Sequence, residues 1–276
     1  MIWARTIEWC EDYAKIIDQR KLPHEEVYID IRNYEEMYDA IKNMTIRGAP
    51  AIGVAAAYGI ALAALKSEDK KALEKKIALI ESARPTAYNL FYAVKRMRKL
   101  LLEKEFNAYV FVKEAIKIHE EDKKITELLG EHGSGLISDD SLYMTICNAG
   151  ALATGGIGTA LAVFYKAREK GKKVTVFIPE TRPFLQGARL TTWELKKNKI
   201  KAVLIVDGAI PYIMKTEKIK GVFTGADRVA RNGDVANKIG TYSLALAARE
   251  NKVPFYVVAP NTTFDLGLEG GEEIPI

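Results

Sequence analysis

The sequence predicts an α/β protein in two parts. The N-terminal part is mainly helical and opens with a small β-meander; the C-terminal part is a parallel sheet with helices on both sides. Three observations lead there. Residues 34–131 carry helical periodicity around a run, 50–65, that is apolar on every side. From residue 142 onward, short apolar runs (LYMTIC, KVTVFIP, KAVLIVD, GVFTGAD and PFYVVAP) alternate with helical patterns. Runs with so little polar alternation suit strands covered on both faces, the mark of a parallel sheet. Between the parts lies a Gly- and Ser-rich stretch, 130–138, which places the expected boundary so that the domains are 1–132 and 133–276.

The opening pieces RTIEW, AKIIDQ and VYIDI are β-like and are separated by charged turns and Pro23, so a meander is expected. Asn33 precedes a helical spacing of Tyr34, Met37, Tyr38, Ile41 and Met44, and Glu36 stands where a capping box needs it. Pro50 sits in the first turn of the apolar helix, a favoured place for proline. Arg47, with Gly48 and Ala49, stands at that helix's mouth. It suits a grip on phosphate or sugar hydroxyls, or equally a pairing with a surface acid. A charged helix spans 68–82, and Arg84, before Pro85, should be extended. A further helix starts at Pro85 or Thr86 and reaches Glu103; a long helix or helix pair covers 107–131. His24, His119 and His132 lie among charges and read as surface positions.

The stretch from Met144 to Ala167 is the centre of the sequence. Met144 and Ile146 end a buried strand, Cys147 follows, and Gly150, Gly155, Gly156 and Gly158 lead into an apolar helical run. Two readings fit. One is an anion site on the N–H groups of a helix start, whose field would also favour the Cys147 thiolate. The other is a tight strand-to-helix turn with an inert thiol.

Ligands of open parallel sheets bind beyond the carboxyl ends of the strands. That position holds Cys147 after the first run, Glu180, Thr181 and Arg182 after the second, and Asp207 and Gly208 after the third. Asp227 and Arg228 end the fourth; Ala259, Pro260 and Asn261 end the fifth. Gln186 starts the helix after the second run, and Asn237 and Lys238 start the helix after Asp227. No His or Cys pair is spaced for a metal, so neither a metal nor another cofactor is expected. The glycines at 155, 156 and 158 imitate a dinucleotide fingerprint, with Glu180 in place of its acid, but their spacing is wrong.

Composition narrows the class. Of 276 residues, 48% are hydrophobic and 28% charged, with a net charge of +5. Basic residues are scattered among acidic ones rather than gathered, which argues against nucleic acid but suits an anionic small substrate. No apolar run is long enough to span a membrane, and the first residues lack a signal core, so a cytoplasmic location is expected. Cys10 and Cys147 are the only cysteines, and a disulfide between them is not expected in a reducing compartment.

Five long motifs in one order carry a family resemblance: IRGAPAIGVAAAYG, ARPTAYNL, CNAGALATGGIGTAL, ETRPFLQGARLTTWEL and GADRVARNGDVANKIGTYSLA. The chain resembles, from about Arg5 to Ile276, the S-methyl-5-thioribose-1-phosphate isomerase family, part of the wider group of translation initiation factor 2B subunits. The resemblance implies a Rossmann-like C-terminal domain, a homodimer and a sugar-phosphate substrate. The implied reaction is an aldose–ketose isomerisation in methionine salvage, from 5-methylthioribose 1-phosphate to 5-methylthioribulose 1-phosphate. The implied catalytic pair is Cys147 and Asp227; the implied substrate-binding residues are Arg47, Gly48, Ala49, Arg84, Gln186, Asn237 and Lys238. Family members usually continue for several dozen residues past GEEIPI, where a further strand and helix are expected.

Phosphate on C1 of that sugar locks the ring. Asp227 is expected to act as a general acid on the ring oxygen, with a pKa raised by an apolar pocket. Cys147 is expected to act near C1 and C2, as a thiolate base or a stabiliser, with hydrogen moving through an enolate or as hydride. Two alternatives stay open. A ribose-1,5-bisphosphate isomerase shares the Cys and Asp, and a regulatory subunit of the initiation factor 2B kind would need neither.

Overall fold

The structure is a computed structural model and describes residues 4–84, 88–103 and 105–275. The expectation that Pro85 or Thr86 opens a helix lies outside the described residues. Two compact units form: one from Arg5–Lys124 with Ala153–Gly156, the other built from Ile125–Leu152 and Ile157–Ile276.

The first unit is helical apart from its opening meander of β1 (Ile7–Cys10), β2 (Tyr13–Ile17) and β3 (Tyr28–Ile31), antiparallel in chain order. Period-two alternation buries Ala14 and Ile16 and leaves Lys15 facing Asp30 at 3.8 Å. Helix α1 (Tyr34–Lys42) opens on the expected capping box. Asn33 Oδ1 accepts from the Glu36 N–H at 2.8 Å, while the Glu36 carboxylate accepts from the Arg32 N–H at 2.7 Å. Helix α2 (Ala49–Leu65) is buried at every residue from Ala51 to Ala64 and packs against α1, α3 (Lys70–Glu81) and α4 (Tyr88–Glu103). Its small residues permit this: a Cβ on Gly53 would stand 2.9 Å from the Asn89 carbonyl oxygen.

Helix α5 (Ala108–Ser134) is continuous, and the units divide inside it, after Lys124, rather than at 130–138. Gly130 and Gly133 do not break it. A Cβ on Gly130 would stand 2.9 Å from the Ala162 carbonyl oxygen, and one on Gly133 would strike the Val163 side chain. These glycines admit a neighbouring helix. His119, expected at the surface, is buried. Its Nε2 donates to the Gly155 carbonyl at 2.8 Å, and its Nδ1 accepts from the Tyr58 hydroxyl at 2.6 Å. The neutral imidazole satisfies both contacts at once. Charged neighbours in sequence hid this position because α5 turns them to other faces.

The second unit carries five parallel strands: β4 (Ser141–Met144), β5 (Val174–Pro179), β6 (Lys201–Ile205), β7 (Ile219–Thr224) and, later in the chain, β10 (Phe255–Val257), in the order β10-β7-β4-β5-β6. Alternate side chains build two cores. Tyr143, Val176, Ile178 and Phe223 pack with α6 (Ala160–Glu169) on one face. Met144, Phe177 and Val222 pack with α8 (Ile210–Thr216) and α9 (Thr241–Glu250) on the other. Between β7 and α9 a hairpin of β8 (Arg228–Ala230) and β9 (Val235–Ala236) turns at Asn232-Gly233, and β11 (Phe264–Asp265) joins it. The sequence reading started a helix at Asn237 and Lys238; α9 starts later, at Thr241, behind this hairpin.

Candidate functional site

Strand order decides where a ligand can enter the sheet. From β4 the chain steps to β5 and β6 on one side, whereas β7 lies on the other side of β4. The β4/β7 pair is therefore the topological switch point, where the loops leave in opposite directions and open a crevice. Cys147 stands three residues past the end of β4, and Asp227 three past the end of β7. The two following segments touch: a Cβ on Gly225 would stand 3.2 Å from Ala149 Cβ and 3.3 Å from Thr159 Oγ1.

Cys147 is held in an unusual backbone state, φ 60°, which a side chain adopts only when its surroundings impose it. Those surroundings are visible. The Cys147 N–H donates to Thr181 Oγ1 at 3.0 Å, and Thr191 Oγ1 donates to the Cys147 carbonyl at 2.5 Å. Thr181 is fixed in turn, because the N–H groups of Thr181 and Arg182 both donate to the Asp207 carboxylate at 2.8 Å. Asp207 thus anchors the loop after β5. Thr191 ends a π-helical turn, Gly187–Thr191, that leads into α7 (Thr192–Lys197); such turns recur at functional sites.

The glycine-rich loop does not offer its N–H groups to an outside anion. The Ala151 and Leu152 N–H groups donate to the Glu194 carboxylate at 2.7 and 3.3 Å, and Asn148 Nδ2 donates to it at 2.7 Å. The Gly155 N–H donates to the Asp122 carboxylate at 2.6 Å, and the Ile157 N–H to Thr126 Oγ1 at 3.2 Å. At the start of α6, the N–H groups of Thr159 and Leu161 donate to the Ala149 carbonyl at 2.9 and 3.2 Å. Of the two readings, these internal acceptors favour the tight strand-to-helix turn over the anion site. Desolvation pushes the Asp122 carboxyl up to about 6, against the opposing pull of the Gly155 N–H. Burial likewise raises Glu194, its hydrogen-bond donors opposing.

The remaining residues named from the sequence fall as follows. Asp227 is exposed, and its N–H donates to the Ala236 carbonyl at 2.9 Å at the mouth of the hairpin. It is not buried in the apolar pocket expected for it from the sequence. Gln186 is buried, and its Oε1 has no hydrogen-bond partner among the described residues. Asn237 Nδ2 donates to Thr224 Oγ1 at 2.9 Å and to Thr241 Oγ1 at 3.1 Å, tying the end of β7 to the start of α9. Lys238 Nζ lies 5.5 Å from the Phe184 ring centroid. In the helical unit, Gly48 caps α2 at φ 94°, and a Cβ there would stand 2.6 Å from the Ala153 carbonyl oxygen. Arg47, Ala49 and Arg84 are half-buried in that unit. Among the described residues no cluster of His, Cys, Asp or Glu is arranged to hold a metal, and no helix is long and apolar enough to cross a membrane.

The sequence reading missed Glu194, Thr191 and Asp122. Each is an ordinary polar residue in a helix or loop pattern, and only tertiary placement gives it a role.

Residues 45–276 match the model of the initiation factor 2 subunit family. The methylthioribose-1-phosphate isomerase of Geobacter sulfurreducens is 48% identical over 99% of this chain and 82% of that protein. The chain belongs to the methylthioribose-1-phosphate isomerase family, within the initiation factor 2 subunit family. The isomerase of the same name from Thermotoga neapolitana is 49% identical over 99% of this chain and 81% of that protein. Among solved structures, the 5-methylthioribose 1-phosphate isomerase of Pyrococcus horikoshii superposes with a TM-score of 0.91 at 40% identity, over 99% of this chain and 79% of that one. A chain from A. fulgidus titled translation initiation factor eIF-2B, subunit delta, superposes with a TM-score of 0.87 at 42% identity, over 99% and 82%.

Proposed function

We infer that this chain is an aldose–ketose isomerase that converts 5-methylthioribose 1-phosphate to 5-methylthioribulose 1-phosphate in methionine salvage. The observation that carries the reading is the presence of a thiol and a carboxyl on the loops of the two strands flanking the switch point, in a chain nearly half identical to isomerases of that name. Cys147 and Asp227 are the proposed catalytic pair. Asp227 protonates the ring oxygen as the C1–C2 hydrogen shift proceeds, and Cys147 acts at C1 and C2. Because Asp227 is exposed in this chain, the desolvation that favours its protonated form comes with the bound substrate.

Arg47, Arg84 and Lys238 are proposed to hold the phosphate and hydroxyls, with Gly48, Ala49, Gln186 and Asn237 completing the set. Gln186 supports this most directly, since a sugar hydroxyl is a donor for its buried oxygen. The chain is proposed to work as a cytoplasmic homodimer. Tyr242 and Leu246, one turn apart and exposed on α9, with exposed Ile239 before them, are the kind of surface that self-association buries.

The test supplies 5-methylthioribose 1-phosphate and, separately, ribose 1,5-bisphosphate, and follows ketose formation by NMR. Turnover of the methylthio sugar in preference to the bisphosphate is expected, as is a loss of at least about a thousandfold in Cys147→Ala and Asp227→Asn with the fold retained. Either variant near wild-type turnover removes that residue from the mechanism. No turnover of either sugar removes the isomerase reading.

A further inference from the structure

Glu194 is 1% exposed and has four neighbours that fill its carboxylate. Oε1 accepts from Asn148 Nδ2 (2.7 Å) and the Leu152 N–H (3.3 Å); Oε2 accepts from the Ala151 N–H (2.7 Å) and the Tyr165 hydroxyl (2.9 Å). Three of these four groups can only donate, so a carboxylate is the side chain that satisfies all of them. A carboxylate withdrawn from water is costly unless it is so paired, and a helix of the sheet's core has no packing need for one. One of its partners, Tyr165, is on α6, and the other three, Asn148, Ala151 and Leu152, lie in the loop just after Cys147. One turn back on the same face, buried Thr191 donates to the Cys147 carbonyl, and its oxygen lies 3.3 Å from Asn148 Nδ2. One face of the π-helical turn and α7 thus grips the loop at four positions, 147, 148, 151 and 152, the stretch in which Cys147 is held at φ 60°.

We propose that Glu194 and Thr191 are positioning residues for the isomerisation. They lock the loop after β4 so that the Cys147 thiol is presented in one orientation at the switch point. The proposal rests on the isomerase reading for its kinetic consequence, but the locking of the thiol is independent of it.

Glu194→Gln keeps the shape and exchanges one oxygen for an NH2 group. Whichever way the amide turns, it faces at least one N–H that needs an acceptor. Thr191→Val removes the hydroxyl at constant volume, and Thr191→Ser restores it. The kinetic readout is the split between kcat and KM for 5-methylthioribose 1-phosphate. The second readout is the rate of Cys147 alkylation by iodoacetamide, followed peptide by peptide in a mass spectrometer so that Cys10 is counted separately. Glu194→Gln and Thr191→Val are expected to lower kcat by about ten- to a hundredfold with KM within about threefold, since small misplacements of a reacting group cost that much. Alkylation of Cys147 should change by at least about fivefold in both, and Thr191→Ser should stay near wild type in both readouts. If Glu194→Gln does not fold, the Thr191 pair decides. If the wild type has no turnover, the isomerase reading falls and the alkylation rates alone decide the positioning role. Unchanged alkylation and kcat in a folded variant, or a rise in KM with kcat intact, overturns the proposal.

Discussion

Gln186 carries a cost in the folded chain. A buried amide oxygen without a donor forfeits its hydration, a penalty of about 1–3 kcal/mol. Such a cost persists where a ligand relieves it. Gln186→Leu removes the oxygen, so stability to urea should fall by no more than about 1 kcal/mol, while KM should rise at least about tenfold because the substrate hydroxyl then meets an apolar wall. Denaturation midpoints beside Michaelis curves check both halves, and a destabilised variant with unchanged KM would make Gln186 a packing residue. At this scale the sequence disclosed residue types but not their surroundings. Cys147, Asp227 and Gln186 stand out as candidates because they follow apolar runs, where ligands of parallel sheets bind. Glu194 was not, since a glutamate in a short helix looks like surface until the four groups aimed at it are seen. His119 misled for the same reason.

Elements show a second kind of concealment. Gly130 and Gly133 in sequence resemble a linker, yet both lie inside α5, where a Cβ would strike α6. On an exposed helix, Gly→Ala stabilises by up to about 1 kcal/mol. Here Gly130→Ala and Gly133→Ala should each destabilise by about 1–3 kcal/mol, because the added methyl overpacks a filled contact. Thermal melts of the two variants give the sign, and a raised melting temperature would show that α5 and α6 can separate without loss. The opposite lesson comes from Asn232-Gly233, a hairpin signal in plain view between Val229 and Val235. The pattern of a helix start at Asn237 obscures it, and exposed Asp227 stands just before the hairpin's first strand. The capping box at Asn33 and the buried course of α2 were readable because each is encoded by a few adjacent residues. Strand order is not encoded that way, so the switch point between β4 and β7 emerges only from the assembled sheet.

For the molecule as a whole, two titrating groups on α5 hold the tip of the glycine-rich loop and respond to pH in opposite senses. Asp122 accepts from the Gly155 N–H, and desolvation holds its carboxyl up at about 6, against an ordinary value of 3.8. In that window the folded chain binds more protons than the unfolded one, so Asp122 removes stability as pH rises from about 4 to 6. His119 donates to the Gly155 carbonyl, and burial lowers its pKa below 6.5. There the unfolded chain binds more protons, so His119 adds stability as pH rises toward 6.5 and loses it on acidification. The two effects oppose each other in the wild type. Asp122→Asn keeps an oxygen for the Gly155 N–H and removes one of them. Relative to wild type, it should gain on the order of 2 kcal/mol between pH 4.5 and pH 7.5, the part of a shift of about two pKa units that falls above pH 4.5. Urea unfolding of both proteins at the two pH values measures that difference directly. If their stabilities change in parallel, the Asp122 carboxyl is already ionised across the range and the loop tip is held by a charge rather than by a neutral acid.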